Sequence, residues 1–177
     1  MKQFLLSFLE ILEVVVVAVV SIYLVYAFIA QPFKVDGKSM EPNFSTGDYL
    51  IVDEITYRFR APARGEVIVL HNPTNEKEFY IKRIIGLPGE QVLVSDNKVF
   101  IDGERINEEY LPVGISMSDK PPFQLGDEEF FVMGDNRGNS FDSRDWGPLG
   151  RYQIVGVVRI RFWPFGDMET YKTLTNA

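Results

Sequence analysis

The 177-residue chain has no cysteine and a single histidine, His71. The first absence removes disulfide frameworks, thiolate zinc sites and thiol nucleophiles together. The second leaves any serine–histidine–carboxylate triad with one candidate base. Basic residues are in deficit, 18 Lys+Arg against 25 Asp+Glu, and an acidic chain lacks the electrostatic footprint of a nucleic-acid binder. Internal repeats, low-complexity tracts and any helical period after residue 33 are also missing. Aromatic residues are plentiful, with 14 Phe, 8 Tyr and 2 Trp in a chain that is 46% apolar, which excludes a disordered protein.

Charge is absent from residues 14–33, VVVVAVVSIYLVYAFIAQPF. About twenty residues at roughly 1.5 Å each span about 30 Å, the thickness of a bilayer core. Residues 4–12 are apolar apart from Ser7 and Glu10, so the helix is expected to start early, and Pro32 to end it. A cleavable secretory signal is the competing reading. A cut after Ala30 or Ala27 would place Phe28 or Val25 three residues before the bond, and neither is small. Residues 1–33 are therefore expected to form an N-terminal tip and a retained single-pass anchor. Lys2 precedes the run while Lys34 and Lys38 follow it, so positive charge alone does not orient the span.

Residues 34–177 have the pattern of a β domain. Short β-branched and aromatic runs at 49–52, 66–70, 78–85, 91–94, 98–101, 128–133 and 153–163 recur between turn residues. Pro88-Gly89 fits a bend, Ser95 to Lys98 a four-residue hairpin loop, and Asp102-Gly103 a tight turn. The stretch 107–127, with Pro112, Pro121 and Pro122, breaks this pattern and is expected to be a small insertion.

Three segments could carry chemistry. Gly37-Lys38-Ser39-Met40-Glu41-Pro42 presents a serine on a constrained loop, where its own N–H could donate to an oxyanion. A nucleophilic serine needs a base. His71 lies in the polar turn Leu70-His71-Asn72-Pro73 and reads as a surface residue. Lys82 lies within Phe79-Tyr80-Ile81-Lys82-Arg83-Ile84-Ile85, where alternation puts Tyr80, Lys82 and Ile84 on one face and Ile81 and Arg83 on the other. Burial would lower its pKa toward that of a general base. The alternative is an edge-strand lysine that guards against aggregation. The third segment, Gly134-Asp135-Asn136-Arg137-Gly138-Asn139-Ser140-Phe141-Asp142-Ser143-Arg144-Asp145-Trp146-Gly147, is a dense polar loop. A calcium loop would place the cation Arg137 among its ligands and lacks a closing glutamate. A phosphate loop lacks its Gly-Lys-Ser/Thr and helix. Ser95-Asp96-Asn97-Lys98 matches penicillin-recognising signatures, but on a hairpin turn rather than a helix.

In order, the uncharged span, S-M-E-P, Y-I-K-R-I-I-G-L-P-G-E and G-D-N-R-G-N-S-F-D-S-R-D-W-G resemble a bacterial type I signal peptidase of compact, single-span form. The resemblance covers nearly the whole chain, including Arg64-Gly65-Glu66-Val67-Ile68-Val69. It implies a mainly β fold of antiparallel sheets after one transmembrane helix, with the catalytic domain on the extracytoplasmic side of the cell membrane. By position, it implies Ser39 as nucleophile and Lys82 as general base. Ser140 and Asp142 match residues that orient the lysine or brace the loop, Tyr80 a tyrosine beside the base, and Arg144 a loop-stabilising partner. Gly37 and Ser39 mark the oxyanion region. Some relatives supply a serine hydroxyl where Gly37 stands, so the second oxyanion donor is left open. The implied activity is removal of signal peptides from exported preproteins after small-x-small residues. The implied partners are those peptides and the lipid bilayer; no nucleic acid, metal or cofactor is expected, and the chain is expected to be monomeric. A self-cleaving Ser–Lys repressor-type protease would bring a DNA-binding domain, which an acidic chain with a membrane span does not suit. A silent anchored scaffold would need neither Ser39 nor Lys82.

Overall fold

The computed structural model describes residues 2–28 and 30–171, with side chains over 7–22 and 31–171. Helix α1 (Lys2–Phe28) is followed at once by strand β1 (Ala30–Lys34). The anchor was expected to run through residue 33, with Pro32 ending its helix. Proline has no N–H to give an α-helix and biases the residue before it toward extended backbone, so Gln31 and Pro32 pair as strand instead, opposite Val52 and Ile51. The last residues assigned to the anchor thus belong to the β domain. Among the described residues, no helix is long and apolar enough to cross a membrane. The described side chains of α1, from Ser7 to Ile22, are all exposed.

The remaining strands are β2 (Tyr49–Asp53), β3 (Val67–Asn72), β4 (Asn75–Gly86), β5 (Gln91–Ser95), β6 (Lys98–Ile101), β7 (Glu104–Arg105), β8 (Lys120–Gln124), β9 (Glu129–Met133), β10 (Leu149–Gly150), β11 (Ile154–Trp163) and β12 (Glu169–Thr170). A one-turn helix, α2 (Ser143–Trp146), lies between β9 and β10. The main sheet has the order β1-β2-β11-β3-β4-β9-β10, with β12 on β11; a second sheet has the order β7-β6-β5-β8. The chain is mainly β, and every pairing is antiparallel.

Two local expectations need correction. Ser95 pairs with Lys98, leaving a two-residue loop of Asp96 (φ 52) and Asn97 (φ 58). Both left-handed conformations match a type I′ hairpin, which Asp and Asn tolerate. Within 107–127, residues 120–124 form β8 on β5 despite two prolines. Pro121 and Pro122 fall in the irregularity between the Val92–Phe123 and Val94–Lys120 pairs, on an edge strand where missing donors do no harm.

Alternation on β4 and β9 divides the core. Ile84, Phe130 and Val132 join Ile68 and Leu70 on one face. Ile85, Phe131 and Met133 pack on the other, against Val92, Val94, Val99 and Ile101 of the second sheet. A third cluster joins Val35, Met40 and Phe44 to Leu50, Val52, Val67 and Val69. It ties the segment after β1 to the sheet.

Candidate active site

Ser39 sits on the loop joining β1 to β2. Buried Met40 and Phe44 root that loop in the core, and Val35 closes its base by donating to Asp48 O and accepting from Gly47 N. Gly37 lies at φ +113, a backbone conformation that side chains rarely adopt. Its N–H donates to Thr46 Oγ1 at 3.0 Å, and the same hydroxyl donates to Gly37 O at 3.0 Å. The Gly37 N–H is therefore engaged, whereas that of Ser39 has no partner among the described residues.

Strand alternation on β4 turns two neighbouring cations to opposite sides. Arg83 meets Asp135 in a buried two-point contact, Nε to Oδ1 at 2.8 Å and Nη2 to Oδ2 at 2.6 Å. Lys82, only 3% exposed, reaches no carboxylate among the described residues. Its Nζ donates to Ser39 Oγ at 2.8 Å and to Ile81 O at 3.0 Å. Burial lowers its pKa to about 8 against the pull of the Asp142 and Asp135 charges. The Tyr80 ring lies beside the ammonium, 5.1 Å from Nζ to centroid.

The polar loop after β9 braces this pair. Asp142 is fully buried and caps α2. Its carboxylate accepts Arg144 Nε and Nη2, each at 2.8 Å, and Gly134 N at 2.9 Å. Burial alone would raise the Asp142 pKa, but Arg144 and the Gly134 N–H hold it below the usual value. Arg144 also donates to Arg137 O at 2.7 Å. Ser140 Oγ is buried beside that carboxylate without an aligned hydrogen bond to any described residue, Lys82 included.

Three contributors were not singled out by sequence. A Cβ on Gly134 would stand 2.3 Å from Ser39 O and 2.2 Å from Ser140 Oγ, so glycine alone lets this loop approach the serine. Asn136 donates to two carbonyls of the Ser39 loop. Asp135 is held by Arg83 and by Asn43 Nδ2 at 2.8 Å. The available signal was Gly-Asp-Asn directly after a buried strand. His71 packs on Phe79 with Nδ1 2.9 Å from Glu76 O, and it does not line the cleft above Ser39.

That cleft holds about 260 Å³ and is lined by Phe33, Gly37, Leu50, Phe79, Ile81 and Phe141 around Ser39 and Lys82. A larger hollow of about 950 Å³ opens elsewhere. Arg64 and Arg83 on its wall are already paired, with Glu90 and Asp135, and neither Ser39 nor Lys82 reaches it.

The scaffold is mainly β, and its buried lysine is bonded to a loop serine; comparison with known proteins gives its family. Residues 8–163 match the family described as signal peptidase, peptidase S26. The chain is 40% identical over 143 residues to a probable signal peptidase I-2 of Synechocystis sp., covering 77% of this chain and 65% of that protein. It is 36% identical over 155 residues to a signal peptidase I of Bacillus amyloliquefaciens, covering 82% of each. A crystal structure of a signal peptidase I from Enterococcus faecalis aligns at 31% identity with a TM-score of 0.48, over 55% of this chain and 97% of that one. The chain belongs to the signal peptidase family, peptidase S26, a family of serine endopeptidases.

Proposed function

We propose that this chain is a membrane-anchored serine endopeptidase that removes signal peptides from exported preproteins, with Ser39 as nucleophile and Lys82 as general base. The observation that carries the reading is the 2.8 Å contact between Lys82 Nζ and Ser39 Oγ at the foot of the cleft. A lysine with its pKa lowered to about 8 by burial is neutral often enough near neutral pH to accept a proton. Lys82 Nζ takes the Ser39 Oγ proton as Oγ attacks the scissile carbonyl carbon, and the Ser39 N–H receives the developing oxyanion. Collapse expels the amine, which takes the proton from Lys82, and leaves an ester on Ser39. A water then gives a proton to Lys82 and attacks the ester; release of the acid returns that proton to Ser39 Oγ.

The substrate reading rests on the banks of the cleft. Among the described residues β1 pairs only with β2, and β4 pairs with β9 only from Arg83 onward, so residues 79–82 leave one edge unpaired there. An extended peptide between these banks would add a strand, and the small apolar volume suits small side chains. The anchor reading rests on the 27-residue length of α1 and on its exposed Phe8, Ile11, Val14, Val17 and Ile22, a surface that lipid would cover. The catalytic domain then lies on the extracytoplasmic side, where exported preproteins emerge. Cleavage of a preprotein by wild type, Ser39→Ala and Lys82→Met in detergent or vesicles tests the pair. Both variants are expected to be inactive, and full activity in either overturns the assignment.

A further inference from the structure

The peptide unit joining Lys38 to Ser39 is trans. In a trans unit the carbonyl and the N–H point in opposite directions across one rigid plane, so whatever grips one end aims the other. Asn136 Nδ2 donates to Lys38 O at 3.0 Å, the shorter of two bonds on that oxygen; the other, from the Glu41 N–H within the same turn, is 3.3 Å. At the opposite end of that plane is the Ser39 N–H, unpartnered among the described residues. The next unit is held by the same residue, since the Asn136 backbone N–H donates to Ser39 O at 3.0 Å. One side chain and its own backbone therefore grip both peptide planes that flank the nucleophile.

We propose that Asn136 is the positioning residue of the oxyanion donor, its side-chain amide aiming the Ser39 N–H at the charge that develops on the scissile carbonyl oxygen. The grip has a second effect: a donor on the Lys38 carbonyl polarises the plane and makes the N–H at its other end a stronger donor. Gly37 cannot share this task while its N–H is bonded to Thr46. The donor at Ser39 thus carries more of the stabilisation, and its aim matters more.

The proposal rests on Ser39 being the nucleophile. A side-chain substitution isolates it, because the backbone bond from residue 136 to Ser39 O survives any residue but proline. Asn136 is half-exposed, so Lys38 O, which keeps the longer bond from Glu41 N–H, can take water in its place and folding loses little. The full chain, in detergent micelles, is assayed on a preprotein as wild type, Asn136→Ala, the size-matched Asn136→Leu and Ser39→Ala. Losing the aim of one oxyanion donor is expected to lower kcat about 10- to 100-fold in both Asn136 variants. KM is expected within about twofold of wild type, because the ground-state carbonyl binds that donor weakly. The rising limb of the pH–rate profile and the melting temperature are expected to stay in place. Wild-type kcat in either variant overturns the proposal, as does a loss expressed in KM or a displaced pH limb. Activity in Ser39→Ala would instead remove the reading beneath it.

Discussion

The lysine at the foot of the cleft should destabilise the protein it serves. Its pKa is lowered from 10.5 to about 8, a difference worth roughly 3 kcal/mol at about 1.4 kcal/mol per tenfold change. The unfolded chain holds the Lys82 proton more tightly than the folded one, so between these two values unfolding takes up a proton. Stability from this group therefore rises with pH across that window, and the cost is present in full below about pH 8. Lys82→Met keeps most of the volume and removes the charge. Relative to wild type, it is expected to be more stable by up to about 3 kcal/mol near pH 7, with the difference shrinking toward zero near pH 10.5. Denaturant titration of both proteins at several pH values in the same detergent measures this. Taking the difference between the two proteins cancels other groups, such as Tyr57 and Tyr110, whose pKa values burial pushes up. The same lysine should set the rising limb of the wild-type pH–rate profile, with a midpoint near 8. A stability difference between wild type and Lys82→Met that ignores pH, or a wild type more stable at pH 7, would refute the idea of a desolvated base.

Gly134→Ala is expected to lower kcat by more than about 100-fold, because its methyl would meet Ser39 O and Ser140 Oγ at 2.2–2.3 Å and displace the serine by far more than catalysis tolerates; steady-state kinetics on a preprotein checks it. Arg144→Ala leaves the Asp142 carboxylate buried without its two-point partner and should cost about 3–5 kcal/mol at neutral pH. Asp142 has a lowered pKa, so the stability it contributes is lost as pH falls through its folded value; chemical denaturation from pH 7 to pH 3 should show wild type and variant converging. His71→Ala is expected to leave kcat/KM within about threefold of wild type, and a large loss would point to a histidine base.

Much of the scaffold was legible because β strands carry their own period. Lys82 could be placed on a face shared with Tyr80 and Ile84 from alternation alone, but whether that face is buried or guards an edge could not be read there and is decided by the packing around it. β1 was harder to read, since an apolar run of helical length continues into it and only Pro32 marks the change. β8 was hidden by its prolines, which an edge strand tolerates and a pattern of alternation does not. The site divides in the same way. Ser39 and Lys82 are chemically conspicuous residue types, whereas Asn136 and Gly134 act across nearly a hundred residues of chain through backbone carbonyls. Such contacts leave no trace in local composition. Thr46 and Gly37 are only nine residues apart, but their pairing depends on a loop conformation that no periodicity encodes.

The two banks of the cleft differ in compliance. β4 is a party wall: its alternate residues are pinned by two separate cores, so Lys82 rides on backbone that has little freedom to shift. Among the described residues β1 has a neighbour on one side only, and it begins two residues after α1 ends. The peptide proposed to lie between them would have one fixed jaw and one yielding jaw. A tilt or vertical displacement of the helix would reach the yielding jaw before the fixed one.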